Sequence, residues 1–265
     1  MNKRSCFFCL MLLIFTVNTG AETQSKIGIG AGVSFTGYYD EIDSPIRKYS
    51  NALTCLIFGN FEKKNLLHSF NINFFWGDAK RIEPHTGYRH IPSSTIRLWM
   101  DYSLNFNLLE TGFYKPYIGA AFRTLAHYTG PLAADNMELL NPTGVLLFSL
   151  DLNLSHKFTI NNRNSVFVST KIPFLGYAVR PPFAGLDGLW IKYLHEGTYM
   201  KFLTLGEFTS FNNYRAFLGD VKYHFKINNR FSVYCAMLFE HSSFNFYRPR
   251  KDLMFGLYSG VSILF

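Results

Sequence analysis

Eight charged side chains interrupt otherwise apolar, alternating stretches of this chain, and their signs balance. Arg97, Arg123, Lys171 and Lys222 carry four positive charges, and Asp101, Asp151, Asp220 and Glu240 carry four negative ones. Arg97 and Asp101 share one face of an extended segment, because side chains alternate between faces along a strand. Ions enclosed in mid-strand must be paired or wet. Two kinds of chemistry fit: a structural ion-pair network, or the lining of a selectivity path for a small solute. A second cluster is His241-Ser242-Ser243, where His241 and Ser243 share parity with Met237 and Phe239. No Cys/His ligand spacing, phosphate-cradling glycine motif or EF-hand run occurs, so neither metal nor cofactor is expected. Gly28, Gly30 and Gly32 alternate on one strand face, where they relieve crowding rather than form a nucleotide loop.

The elements that must position these residues are β-strands. Ile27, Ile29, Ala31, Val33 and Phe35 oppose Gly28, Gly30, Gly32, Ser34 and Thr36. The same period-two pattern recurs near residues 53–61, 69–76, 96–108, 117–123, 146–155, 165–174, 217–227, 231–240 and 253–265. That makes ten strands, within a range of eight to twelve, since residues 189–205 could hold one more hairpin. Aromatic residues make up 18% of the chain and charged residues 17%, against a usual charged share of about 25%. At the other end, Lys3 and Arg4, the apolar run Cys6 to Val17, and Thr19-Gly20-Ala21 have the three parts of a secretory leader. The apolar run is about a dozen residues, short of the roughly 20 that a spanning helix needs. Residues 1–21 are therefore expected to be a signal peptide and 22–265 a single domain.

Residues 253–265 carry the clearest pattern. Leu253, Phe255, Leu257, Val261, Ile263 and Phe265 fall on one face, opposite Asp252, Met254, Gly256, Tyr258, Gly260 and Ser262. In this the chain resembles the outer-membrane β-barrel proteins of Gram-negative-type bacteria, whose final strand ends in Phe behind alternating apolar residues. The resemblance implies an all-β transmembrane antiparallel barrel in the cell outer membrane, with Phe265 as an assembly signal read by the barrel assembly machinery. Its partners would be outer-membrane lipid and, as candidate ligand, a small solute or lipid. Tight connections fall at residues 62–65, 109–116, 160–164 and 228–230. Longer ones fall at 40–51, 77–93, 129–143, 176–213 and 244–251, and barrels of this kind place short turns toward the periplasm and long loops outside. The prolines of the 171–182 segment are expected to end their ladder. Phe158–Val166 and Phe225–Val233 repeat one Asn-Asn-Arg turn, which should place both copies at the same barrel end.

The chain has 26 basic and 18 acidic residues, a formal net charge of +8. The surplus gathers at the tight-turn end: Lys26, Lys63, Lys64, Lys115, Lys157, Arg163, Lys226 and Arg230. Nucleic acid is excluded as a partner by the compartment and by the placement of these charges on turns. Cys55 and Cys235 lie three strand steps apart, roughly 14 Å at about 4.8 Å per step. That is beyond the roughly 7 Å reach of a disulfide.

His241 and Ser243 also resemble the His-x-Ser arrangement of outer-membrane lipid A deacylases and phospholipases A. The resemblance implies Ser243 as nucleophile, His241 as its general base and a third polar residue orienting the His. Asp252 is the nearest acid, although its parity is that of the lumen unless a bulge turns it. Those deacylases have Asn directly after the Ser, whereas here Phe244 intervenes before Asn245. The leading expectation is a non-enzymatic barrel with a structural, surface-exposed or small-channel role. The alternative is a lipid hydrolase using Ser243 and His241.

Overall fold

Period-two alternation becomes long, twisted hairpins. The computed structural model describes residues 25–40, 44–81, 93–130, 143–180, 203–245 and 249–265. Its strands are β1 (Ser25–Asp40), β2 (Ser44–Lys63), β3 (Leu66–Arg81), β4 (Ser93–Asn107), β5 (Tyr114–Gly130) and β6 (Thr143–Thr159). They continue as β7 (Asn164–Val179), β8 (Glu207–Thr209), β9 (Tyr214–Lys226), β10 (Phe231–Phe244) and β11 (Arg250–Leu264). All pairings are antiparallel. β1 meets β11 from Lys26↔Leu264 to Asp40↔Arg250, and β7 meets β9 along Asn164–Lys171. Ten long strands thus close on themselves as a transmembrane-type barrel, and closure leaves no sheet edge to satisfy in lipid. β8 is a three-residue strand that, among the described residues, pairs only with the outer end of β7.

Direct β7–β9 pairing leaves no room between them for two more barrel strands, so the count is ten. Residues 181–202, which hold most of the segment considered for an extra hairpin, lie outside the described residues, as does the expected signal peptide. Two expectations about connections are corrected. Residues 40–51 are not a long loop: β1 and β2 run on to Asp40 and Ser44, with a register shift between Tyr38 and Asp40. Hydrogen bonding continues there after the hydrophobic alternation has ended, which is why the pattern stopped short. Pro173 does not end β7 either. It sits opposite Asp151 where the β6–β7 register shifts, and the ladder resumes at Leu150↔Leu175. Phe174 is the residue left without a cross-strand partner there, and such a bulge is where a strand accommodates a proline.

The two faces sort as a membrane barrel requires. Ile29, Val33, Leu53, Phe74, Met100, Phe122, Leu152, Met237 and Leu257 are exposed on the outside, an apolar belt far larger than a water-soluble surface carries. At the tight-turn end of this belt, His68 Nδ1 pairs with the Tyr102 hydroxyl at 2.7 Å. His156 Nδ1 pairs with that of Tyr114 at 2.9 Å. Aromatic and His tips of this kind suit the lipid–water boundary. Cys55 and Cys235 are free thiols on the outer face.

The lumen is less polar than the sequence pattern implied. Leu56, Phe58, Trp99, Leu125, Leu147, Leu218, Tyr234, Leu238 and Tyr258 form a buried cluster inside it. The glycines of β1 make this filling possible. A Cβ on Gly28 would lie 2.4 Å from the Phe58 ring, and one on Gly30 would lie 2.3 Å from the Tyr234 hydroxyl. Tyr258 then ties the layer together, accepting from Asn73 Nδ2 at 2.5 Å and Thr54 Oγ1 at 3.2 Å.

Candidate functional site

The eight charges singled out above all point into the barrel, and none exceeds 4% exposure. They assemble as two networks. In the first, Arg123 Nε donates to Asp151 Oδ2 at 2.9 Å and its Nη2 to the Tyr214 hydroxyl at 2.6 Å. Ser149 Oγ adds a bond to Asp151 Oδ1 at 2.6 Å. Glu240 reaches from β10 across the bore, lying 3.7 Å from Arg123 and forming a close ion pair with Arg97. In the second, Lys171 Nζ donates to Asp101 Oδ1 at 2.6 Å, and Asn71 Nδ2 donates to the same carboxylate at 3.1 Å. Lys222 Nζ donates to Asn71 Oδ1 at 3.0 Å and Asp220 Oδ2 at 2.7 Å. Strands β3, β4, β7 and β9 are thereby cross-linked through the lumen. A narrow ten-stranded interior puts opposite walls within reach of single side chains.

Nearer the loop end is a third group, of which the sequence reading named only Asp252. Arg250 Nε donates to Asp252 Oδ2 at 3.0 Å, and the Arg250 guanidinium meets His127 Nδ1. Asp252 is 2% exposed and faces the lumen. His241 is exposed on the outer face, and Ser243 lies on that same face. Their cross-strand neighbours on β11 are Leu253 and Lys251, and on β9 Phe217 and Arg215, while Asp252 pairs with the intervening Ser242. No bulge turns Asp252 outward. The structure therefore does not assemble His241, Ser243 and Asp252: the acid is on the opposite side of the sheet. Ser243 Oγ instead approaches Asn245 Oδ1 at 3.5 Å.

The tight-turn end holds a cavity rich in polar groups. It encloses about 520 Å³ and is lined by Lys26, Lys157, Arg163 and Lys226, with Glu62 and His224. Glu62 accepts from Lys157 at 2.6 Å, Lys115 at 3.0 Å and the Tyr117 hydroxyl at 2.9 Å. The repeated turns border this cavity in matching form. Asn161 Oδ1 accepts from the backbone N–H of Arg163 and Asn164, as Asn228 Oδ1 does from Arg230 and Phe231. The Lys226 N–H donates to the Arg163 carbonyl at 2.7 Å and docks the two turns side by side. Phe265 is exposed at this end, and its N–H donates to the Ser25 carbonyl at 2.9 Å across the β1–β11 seam.

Comparison with solved structures tests the architecture. The outer-membrane protease OmpT from Escherichia coli superimposes with a TM-score of 0.51 over 93% of this chain and 98% of its own, at 10% identity. The chain has the outer-membrane β-barrel fold. The translocator domain of the autotransporter NalP from Neisseria meningitidis (TM-score 0.40, 8% identity, 99% and 95% covered) and Neisserial surface protein A (0.35, 8%, 90% and 97%) are also similar. No family model and no curated protein matches the sequence.

Within this barrel, Arg250 and His127 are lumen residues that the sequence reading missed. Arg250 has the parity of Asp252 two residues on, and that was its available signal. It was hidden because residues 244–251 read as loop. His127 sits two strand repeats above Arg123 on the same face, among polar residues that continue β5 past its clearest apolar alternation. Among the described residues no group of three or more His, Cys, Asp and Glu side chains is placed to hold a metal ion.

Proposed function

We propose that the protein is an integral outer-membrane barrel closed to solutes, a structural scaffold that holds its outer connections at the surface. What supports this reading is the state of the lumen charges. Arg123, Asp151 and Glu240 have 0% exposure, so no water-sized sphere touches them, whereas a continuous aqueous bore would wet the ions that line it. The charges neutralise one another in place, which is the arrangement of an ion-pair plug rather than of a selectivity path. In this reading an N-terminal leader directs export, the assembly machinery recognises the final strand, and lipid is the principal partner.

Planar-bilayer recording tests the proposal. The intact protein should insert without steady conductance at moderate voltage. The triple variant Arg97→Ala, Arg123→Ala, Glu240→Ala, where it folds, should show small openings as the plug is removed. Steady ion-selective conductance from the intact protein, shifted in preference by Asp101→Asn, would establish a channel instead.

A further inference from the structure

The turn-end cavity departs from the charge balance of the lumen above it, and three observations make it more than a solvated rim. Four cations, Lys26, Lys157, Arg163 and Lys226, line it with a single carboxylate. That carboxylate, Glu62, is already engaged by two lysines and a tyrosine. Lys26 and Lys226 make no side-chain hydrogen bond or ion pair among the described residues. Second, His224 lines the cavity at 4% exposure with both ring nitrogens unpartnered. Its ring lies edge-on to Phe58, with centroids 5.6 Å apart, and 5.8 Å from Tyr234. A buried imidazole without a partner is costly in a folded protein, and a bound group with oxygen atoms would satisfy it. Third, the volume falls within the roughly 300–1,000 Å³ of small-ligand sites.

We propose that this vestibule binds a phosphate-bearing anion, with Lys26 and Lys226 as its principal charges and His224 as the deepest donor. A phosphate group fits because it presents several acceptor oxygens to donors converging from different strands, and charge-assisted bonds of this kind are the strong ones. The paired Asn-Asn-Arg turns form the mouth, and Arg163 adds a positive charge to it. The group could belong to a soluble phosphate ester or to a lipid headgroup folded in over the rim. The recognising chemistry is the same for both.

The test uses full-length protein in nanodiscs of pure phosphatidylcholine, titrated with inorganic pyrophosphate by calorimetry. A second arm places the protein in nanodiscs containing phosphatidic acid and follows the His224 ring resonances by NMR. Saturable pyrophosphate binding assigns a soluble ligand, and a His224 shift only with phosphatidic acid assigns the headgroup. In whichever arm responds, Lys26→Ala with Lys226→Ala should weaken binding at least tenfold, and His224→Phe severalfold. The charge-matched control, Lys63→Ala with Lys64→Ala outside the cavity, should stay within twofold. If the double variant does not fold, Lys226→Ala alone carries the comparison. No saturable response in either arm overturns the proposal, as does an equal loss in the control, which would mean diffuse attraction to the turn end.

Discussion

The middle of the lumen and the vestibule below it sit in one barrel and are walled by the same strands, yet they treat charge in opposite ways. In the middle, each guanidinium or ammonium group highlighted above has a carboxylate within reach: Arg97 with Glu240, Arg123 with Asp151, Lys171 with Asp101 and Lys222 with Asp220. These groups are sealed from water. In the vestibule, four cations line the wall beside a single carboxylate, Glu62, which is bound to Lys157 and Lys115. Position along the barrel axis explains the difference. A buried charge without a counter-ion is too costly to keep, so the sealed zone must balance itself. The open end can leave cations for solvent or for a ligand. Balance therefore marks structure in this protein, and imbalance marks a place where something else can bind.

The comparison breaks most visibly at Glu240, which serves both Arg97 and Arg123. Glu240→Ala leaves two buried guanidinium groups facing a void, and such a loss costs about 3–5 kcal/mol. Urea unfolding in lipid vesicles, read from tryptophan fluorescence, measures it. Trp99 is a suitable reporter because Lys171 Nζ lies 5.6 Å from its ring. A cost no greater than that of Glu62→Ala would mean that the two regions do not differ in kind.

Glu62→Gln is the smaller counterpart, and its effects should have opposite signs. Its side chain is 11% exposed, and Lys115 and Lys157 at 25% and 18% can turn toward water. Partial solvation caps the stability loss at about 1 kcal/mol. Release of Lys157 from Glu62 should at the same time tighten pyrophosphate binding severalfold. Gly28→Leu gives an intermediate measure of how full the sealed zone is. Phe58 must move to admit the new side chain, at a cost of about 1–3 kcal/mol, while Ala31→Leu on the lipid face should cost far less. The same unfolding assay reads both.

How much of this was legible in sequence follows from which forces act along one strand and which act between strands. Alternation is local, so the ten strands, the inward set from Arg97 to Glu240 and the outward thiols could be read from parity alone. Pairing partners are not local. Nothing in the spacing says that Glu240 on β10 meets Arg97 on β4, or that Lys171 on β7 meets Asp101 on β4, since these contacts cross the bore. β2 is apolar on both faces near Ile57, so nothing in its own alternation says whether Leu56 and Phe58 must face lipid. Glycine opposite Phe58 was the signal that it need not. Strand ends were lost where polar residues such as Lys48 and Arg250 continue a ladder above the apolar belt.

The smallest effect is expected at Ser243, and it sharpens the comparison from outside the barrel. Nucleophilic catalysis needs a base within hydrogen-bond reach of the hydroxyl and a third group orienting that base. His241 shares the outer face with Ser243, but Leu253 and Phe217 flank it across both neighbouring strands. The nearest acid, Asp252, is bound to Arg250 on the far side of the sheet. A serine in this setting is a half-exposed polar residue of the rim. Ser243→Ala should shift unfolding by no more than about 0.5 kcal/mol and leave acyl-ester lipids as intact as the unaltered protein does. Fatty-acid release by the unaltered protein that vanishes in Ser243→Ala would instead require that His241 find its partner on a segment beyond the ladder. Polarity on the lipid-facing side, like that of the vestibule, would then be functional.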